Sequence, residues 1–104
     1  MITCCIQYTL DRHEIAAFED YADRWPPIIE RCGGSLVGYY LPKEGADDFA
    51  IALIDFPSLA EYEQYRARLA ADPDAQRNVA DARASRCIVS ERRSFLRRSR
   101  AATS

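Results

Sequence analysis

The stretch Trp25-Pro26-Pro27-Ile28-Ile29-Glu30-Arg31-Cys32-Gly33-Gly34-Ser35-Leu36-Val37-Gly38-Tyr39-Tyr40-Leu41-Pro42-Lys43-Glu44-Gly45 joins the two halves of the chain. It contains a helix end, a glycine stop, an aromatic strand and a turn. Upstream of it, Ile15, Phe18, Ala22, Trp25, Ile29 and Cys32 recur three and four residues apart, which lays them on one helical stripe. Pro26 removes an internal hydrogen bond, but the apolar stripe resumes beyond it, so a kink is expected rather than a stop. Gly33-Gly34 ends the helix, one of the pair supplying the left-handed cap. Ser35 to Leu41 reads as a strand, with Leu36, Gly38 and Tyr40 on one face and Val37, Tyr39 and Leu41 on the other. Pro42 to Asp47 has the composition of a turn.

Working outward, Ile2 to Thr9 is a first strand, and Asp11 opens the first helix with His13 in its first turn. Asp48 to Phe56 is a third strand, and its short link to the second makes an antiparallel hairpin. Ser58-Leu59-Ala60-Glu61 is a capping box, serine at the N-cap and glutamate three residues on. Leu59, Tyr62, Tyr65 (or Arg66 if the stripe shifts) and Leu69 form the buried side of the second helix. Asp72-Pro73 starts a further helical segment with proline at its first position, carrying the small apolar stripe Ala75, Val79 and Ala82. Arg86 to Phe95 is the fourth strand. The order β-α-β-β-α-β, with right-handed crossovers, predicts a ferredoxin-like α+β fold with a four-stranded antiparallel sheet and both helices on one face. One domain over residues 1–96 is expected, with 97–104 a basic, fraying tail.

That topology leaves one sheet face without a helical cover, yet the third strand is apolar on both faces and Tyr39 and Tyr40 occupy both sides of the second. An open apolar face of several hundred Å² is unusual on a monomer. Packing of two copies, sheet against sheet, covers it and gives a two-fold homodimer.

Composition narrows the function classes. The chain has 104 residues, 48% hydrophobic and 29% charged, with a net charge of −2. There is no excess positive field for nucleic acid, so no nucleic-acid partner is expected. No apolar run approaches the roughly 20 residues that span a bilayer, so no membrane insertion is expected. The beginning Met1-Ile2-Thr3-Cys4-Cys5-Ile6 reads as a strand rather than a leader, and a cytoplasmic location is expected. Cys4, Cys5, Cys32 and Cys87 read as small buried hydrophobes; they form no Cys-x-x-Cys pair, and neither a metal nor a cofactor is expected.

The chain resembles the NIPSNAP family over nearly its whole length. The residues that carry the resemblance are Cys4 to Tyr8, Phe18 to Ala22, Trp25, Gly33-Gly34, Gly38-Tyr39-Tyr40, Pro42 and Glu44 to Ala46, then Phe56 to Arg66, Asp72-Pro73, Glu91-Arg92 and Ser94 to Leu96. Pro26 beside Pro27 and the basic tail depart from the family's pattern. The resemblance implies a dimeric α+β barrel and no settled reaction.

Candidate catalytic residues are His13, the sole histidine, with Tyr40 and Arg92; none belongs to a catalytic motif. Arg92 is a candidate to pair with Glu44 or to grip an anion. Tyr8, Trp25, Tyr39, Tyr40, Tyr62 and Tyr65 are candidates to line a pocket for a small apolar ligand. Two functions follow: a binding module for a small apolar ligand or a protein partner, or a small cofactor-free enzyme, monooxygenase- or isomerase-like, acting on an apolar or aromatic metabolite. A third reading, with His13 as a haem ligand, requires that residue to face an apolar cavity.

Coverage of the open sheet face gives the first test. Sedimentation at micromolar concentration is expected to report a dimer, and a monomer there overturns the sheet-on-sheet packing.

Overall fold

A computed structural model describes residues 1–100; the last part of the expected tail, 101–104, lies outside the described residues. The elements are β1 (Ile2–Leu10), α1 (Ile15–Cys32), β2 (Ser35–Tyr40), β3 (Phe49–Phe56), α2 (Leu59–Ala71), α3 (Pro73–Ser85) and β4 (Ile88–Leu96). The four strands form one antiparallel sheet in the order β2-β3-β1-β4. This is the expected ferredoxin-like α+β arrangement, with the second helical stretch divided in two.

β1 is central and hydrogen-bonds to both neighbours. Cys4, Ile6, Tyr8 and Leu10 point into the core, as do their β3 neighbours Ala50, Ala52, Ile54 and Phe56. The opposite face carries Ile51 and Leu53, half-buried, with Phe49, Tyr40 and Leu96 at 44%, 53% and 51% exposure. The apolar surplus expected on that face is therefore present.

The face assignment within β2 differs from the expected alternation. Leu36 is opposite Ile54 but Gly38 is opposite Leu53, so Val37 is an extra, bulged residue. A bulge inverts the parity of everything beyond it. Leu36 and Tyr39 consequently face the helices, while Gly38 and Tyr40 lie on the open face. A second bulge, at Val89, does the same in β4: Thr9 is opposite Ser90 and Leu10 is opposite Ile88.

α1 begins at Ile15, not at Asp11. The Asp11 carboxylate accepts the His13 backbone N–H at 2.9 Å, and its carbonyl accepts that of Glu14 at 2.9 Å, so Asp11 to Glu14 close a separate turn. His13 is exposed in that turn rather than in the helix. The helix runs through Pro26 and Pro27, because Ala22, Trp25, Ile28, Ile29 and Cys32 are buried on both sides of the pair. Gly33 closes it with φ of 105°, which favours glycine. At Gly34 a Cβ would stand 2.8 Å from Ile29 Cγ2 and 3.1 Å from Ile54 Cγ2, so glycine lets β2 leave the helix at close quarters.

Leu59, expected in the core, is exposed; Tyr65 is the buried residue of α2. Ser58 caps α2, its Oγ accepting the Glu61 N–H at 3.2 Å. Asp72 ends α2 and caps α3, its Oδ1 accepting from Asp74 at 2.9 Å and Ala75 at 3.0 Å. Pro73 at the first helical position completes the break. Arg31 of α1 donates to both Asp72 oxygens, at 2.8 and 2.7 Å. Buried Asn78 donates to the Tyr21 carbonyl at 3.0 Å, tying α3 to α1. α3 ends at Arg86, left-handed with φ of 56°. That conformation costs a non-glycine residue about 1–2 kcal/mol.

The Arg31 bonds, then the Ala75 N–H, hold the Asp72 carboxyl down to about 2. A depressed folded-state value means stability that is present above the ordinary carboxyl range and lost as pH falls. The unfolding midpoint is expected to fall between about pH 4 and about pH 2. Asp72→Asn keeps a capping oxygen without the charge and should show less of that fall in thermal unfolding; an unchanged acid profile refutes the assignment.

Candidate functional site

A cavity of about 940 Å³ lies between the helices and the helix-facing side of the sheet. Pockets for drug-sized molecules occupy about 300–1,000 Å³. Cys4, Ile6, Tyr8 and Ile54 contribute its sheet wall; Tyr21, Trp25 and Ile29 of α1 and Tyr65 and Leu69 of α2 contribute helical walls. The small residues Ala75, Val79 and Ala82 bring α3 to the cavity without filling it.

The aromatic wall is held by ring contacts. Tyr8 meets Phe18 edge-on at 5.0 Å and stacks on Tyr39 at 6.3 Å. Trp25 stands at 89° to Tyr21, 5.6 Å away. The Tyr8 and Tyr39 hydroxyls are 3.5 Å apart. Burial pushes the Tyr8, Tyr21, Tyr39 and Tyr65 phenols above their ordinary value. At neutral pH these four are proton-bearing groups, not bases. The Trp25 indole opposes the shift at Tyr21, yet its buried Nε1 has no partner in hydrogen-bond geometry among the described residues.

The polar part of the wall comes from β4. The register sets Phe95 opposite Cys4, Arg93 opposite Ile6 and Glu91 opposite Tyr8, so these β4 residues share the helix-facing side. Arg93 Nη1 donates to the Tyr62 hydroxyl at 2.8 Å, and Nη2 to Glu91 Oε1 at 3.2 Å. Burial disfavours the Arg93 charge, but Tyr62 and Glu91 outweigh it and raise the guanidinium's value. Glu91 is the one carboxylate of the cavity wall among the described residues.

Of the aromatic residues expected at a pocket, Tyr8, Trp25, Tyr39, Tyr62 and Tyr65 line this cavity. Tyr40 does not; it is exposed on the open sheet face, its ring 3.2 Å from where a Cβ on Gly38 would stand. Arg92 also lies on that face, opposite Gln7, and makes no ion pair with Glu44. His13 is outside the cavity, in the exposed turn, which removes the ground for the haem reading. Sequence reasoning missed Tyr21, Glu91 and Arg93. The alternation of Glu91, Arg93 and Phe95 was a usable signal, since Phe95 marks that parity as the apolar one.

No group of three or more His, Cys, Asp or Glu side chains converges as a metal site among the described residues. None of the described helices is long and apolar enough to cross a membrane.

The NIPSNAP family profile matches residues 4–102. Protein Atu4242 of Agrobacterium tumefaciens is 26% identical, with 96% of this chain and 95% of that chain aligned and a TM-score of 0.84. An uncharacterized NIPSNAP domain protein of Burkholderia xenovorans is 20% identical, with 96% of each chain covered and a TM-score of 0.79. SnoaB of Streptomyces nogalater, a cofactor-independent oxygenase, shares the fold at 15% identity, 95% and 93% coverage and a TM-score of 0.64. No curated protein matches the chain.

The buried phenols give a direct readout. Raised folded-state values mean stability that is full below the unfolded value near 10 and lost as pH rises through the folded values. Phenolate absorbance at 295 nm in the folded protein at about pH 10.5 is expected to fall well short of that of six tyrosines, the remainder appearing on alkaline unfolding. Half-ionisation of all six near pH 10 without unfolding overturns the burial.

Proposed function

The chain belongs to the NIPSNAP family, and we propose that it is a homodimeric binding protein that takes a small ligand with an aromatic, largely apolar body into the cavity between helices and sheet. The observation that carries this reading is the cavity itself: an aromatic wall, a few hydroxyls and one charged cluster, in a volume suited to a single small molecule. Dimerisation through the open face is supported by the exposed Tyr40, Phe49 and Leu96 beside the half-buried Ile51 and Leu53. A globular unit over 1–96 and a cytoplasmic location fit the same reading; all four cysteines are free and buried, as suits a reducing compartment.

A second reading, a cofactor-free enzyme acting on an aromatic metabolite, is favoured by one observation. Glu91 and Arg93 stand side by side in the wall, a carboxylate able to take a proton and a cation able to hold the resulting anion. The fold shared with SnoaB does not by itself transfer an activity. Oxygen consumption with a panel of phenols that is lost in Glu91→Gln favours this second reading.

The binding reading is tested with the neutral fluorophore N-phenyl-1-naphthylamine. Its emission is expected to rise saturably, with quenching of Trp25, the single tryptophan. Val79→Phe and Ala70→Leu, which add bulk at the wall, should each weaken binding about tenfold, the loss of roughly one well-formed apolar contact region. Absence of saturable binding, or indifference to both variants with a native circular-dichroism spectrum, overturns it.

A further inference from the structure

The charge around the cavity runs against that of the whole chain. The protein carries a net charge of −2. Yet Arg66, Arg83, Arg86 and Arg93 line the cavity against the single carboxylate of Glu91. Arg93 is engaged by Glu91 and Tyr62. Arg66, Arg83 and Arg86 are exposed, and none forms an ion pair with a carboxylate among the described residues. Of the other helix-borne arginines, Arg24, Arg31 and Arg77 reach aspartates, and Arg68 donates to the Cys32 carbonyl and to Gln64.

The negative pole at the end of α3 is a reason for a cation at Arg83. It does not account for Arg66, which lies inside α2, away from both ends. Arg86, which caps α3, stands at the same pole, so the dipole favours its charge as well but not its backbone conformation. That residue is the one non-glycine residue with positive φ among those described, at a helix-closing position where glycine is the usual choice. A strained position occupied by a charged side chain beside a cavity points from the outlier toward function.

We propose that the cavity's ligand is anionic: an aromatic body seated on the tyrosine wall, with a carboxylate, sulfonate or phosphate held among Arg66, Arg83 and Arg86. This rests on the binding reading given above and specifies the ligand class of the same site. The arginines sit in solvent at the cavity's edge, so their contribution is a screened, salt-dependent attraction rather than a buried ion pair.

The test uses two probes with one aromatic body, on the full chain: neutral N-phenyl-1-naphthylamine and its sulfonated relative 1-anilinonaphthalene-8-sulfonate. Arg86→Gly and Arg66→Gln are each expected to weaken the sulfonated probe about twofold to fivefold while leaving the neutral probe unchanged. Raising NaCl from about 20 mM to about 500 mM should weaken the sulfonated probe alone. Arg86→Lys should retain its binding. Arg86→Gly relieves the left-handed strain and should raise Tm, so lost anion binding cannot be put down to misfolding. Sulfonated-probe binding that is insensitive to both substitutions and to salt, while the neutral probe still binds, overturns the anionic assignment and leaves the binding reading standing. Failure of both probes to bind overturns both.

Discussion

The register of β1 against its two neighbours governs which side chains reach the core and which reach the open face. Side chains alternate across a sheet with a period of two, so a shift of one residue sends every later side chain to the other face. β1 hydrogen-bonds on both edges and fixes that parity for β3 and β4. It places Tyr8 in the core, aligns Arg93 with Ile6 and Glu91 with Tyr8, and so determines which charged groups of β4 reach the cavity. The bulges at Val37 and Val89 complete the assignment: without the first, Tyr39 and Tyr40 would exchange faces.

The cavity exists because the helical layer is broken and partly small. Asp72 ends one helix and starts the next, and the Arg31 bonds secure this corner to α1. α3 then offers alanines and a valine opposite an aromatic sheet wall. Their stems hold α3 to the domain but are too short to fill the space before the sheet. Close packing is the rule in protein interiors, so a space of this size beside well-packed aromatic pairs follows from specific side-chain choices. Asn78 contributes the polar anchor that keeps α3 on α1 rather than collapsed onto the sheet.

Stability and binding pull in different directions at the cavity edge. A glycine at residue 86 would close α3 with less backbone strain, and fewer arginines there would lessen mutual repulsion. The structure instead concentrates Arg66, Arg83 and Arg86, without ion-pair partners among the described residues, on one side of a chain that is acidic overall. The free energy forgone is modest beside the total of a domain of this size.

The element types, the two caps at Ser58 and Asp72, the glycine stop after α1 and the surplus of apolar surface on the open sheet face were legible in the residues alone. Those features depend on local propensity and on short-range periodicity, which are written in neighbouring residues. The sequence also marked Tyr8, Trp25, Tyr39, Tyr62 and Tyr65 as candidate wall residues, because aromatic residues at strand and helix spacing declare themselves. It did not reveal that Asp11 to Glu14 form a turn held by the Cys87 carbonyl, just before β4, or that Leu59 is exposed. The two bulges came from strand pairing alone, and the one at Val37 takes Tyr40 out of the cavity; the pairing of β4 with β1 brings Arg93 rather than Arg92 to Tyr62. A bulge is chosen by the pairing of two strands distant in sequence, so neither strand alone contains it. The gathering of Arg66, Arg83, Arg86 and Arg93 around one space has the same origin: three separate elements converge, and a charge acquires its neighbours only when the chain has folded.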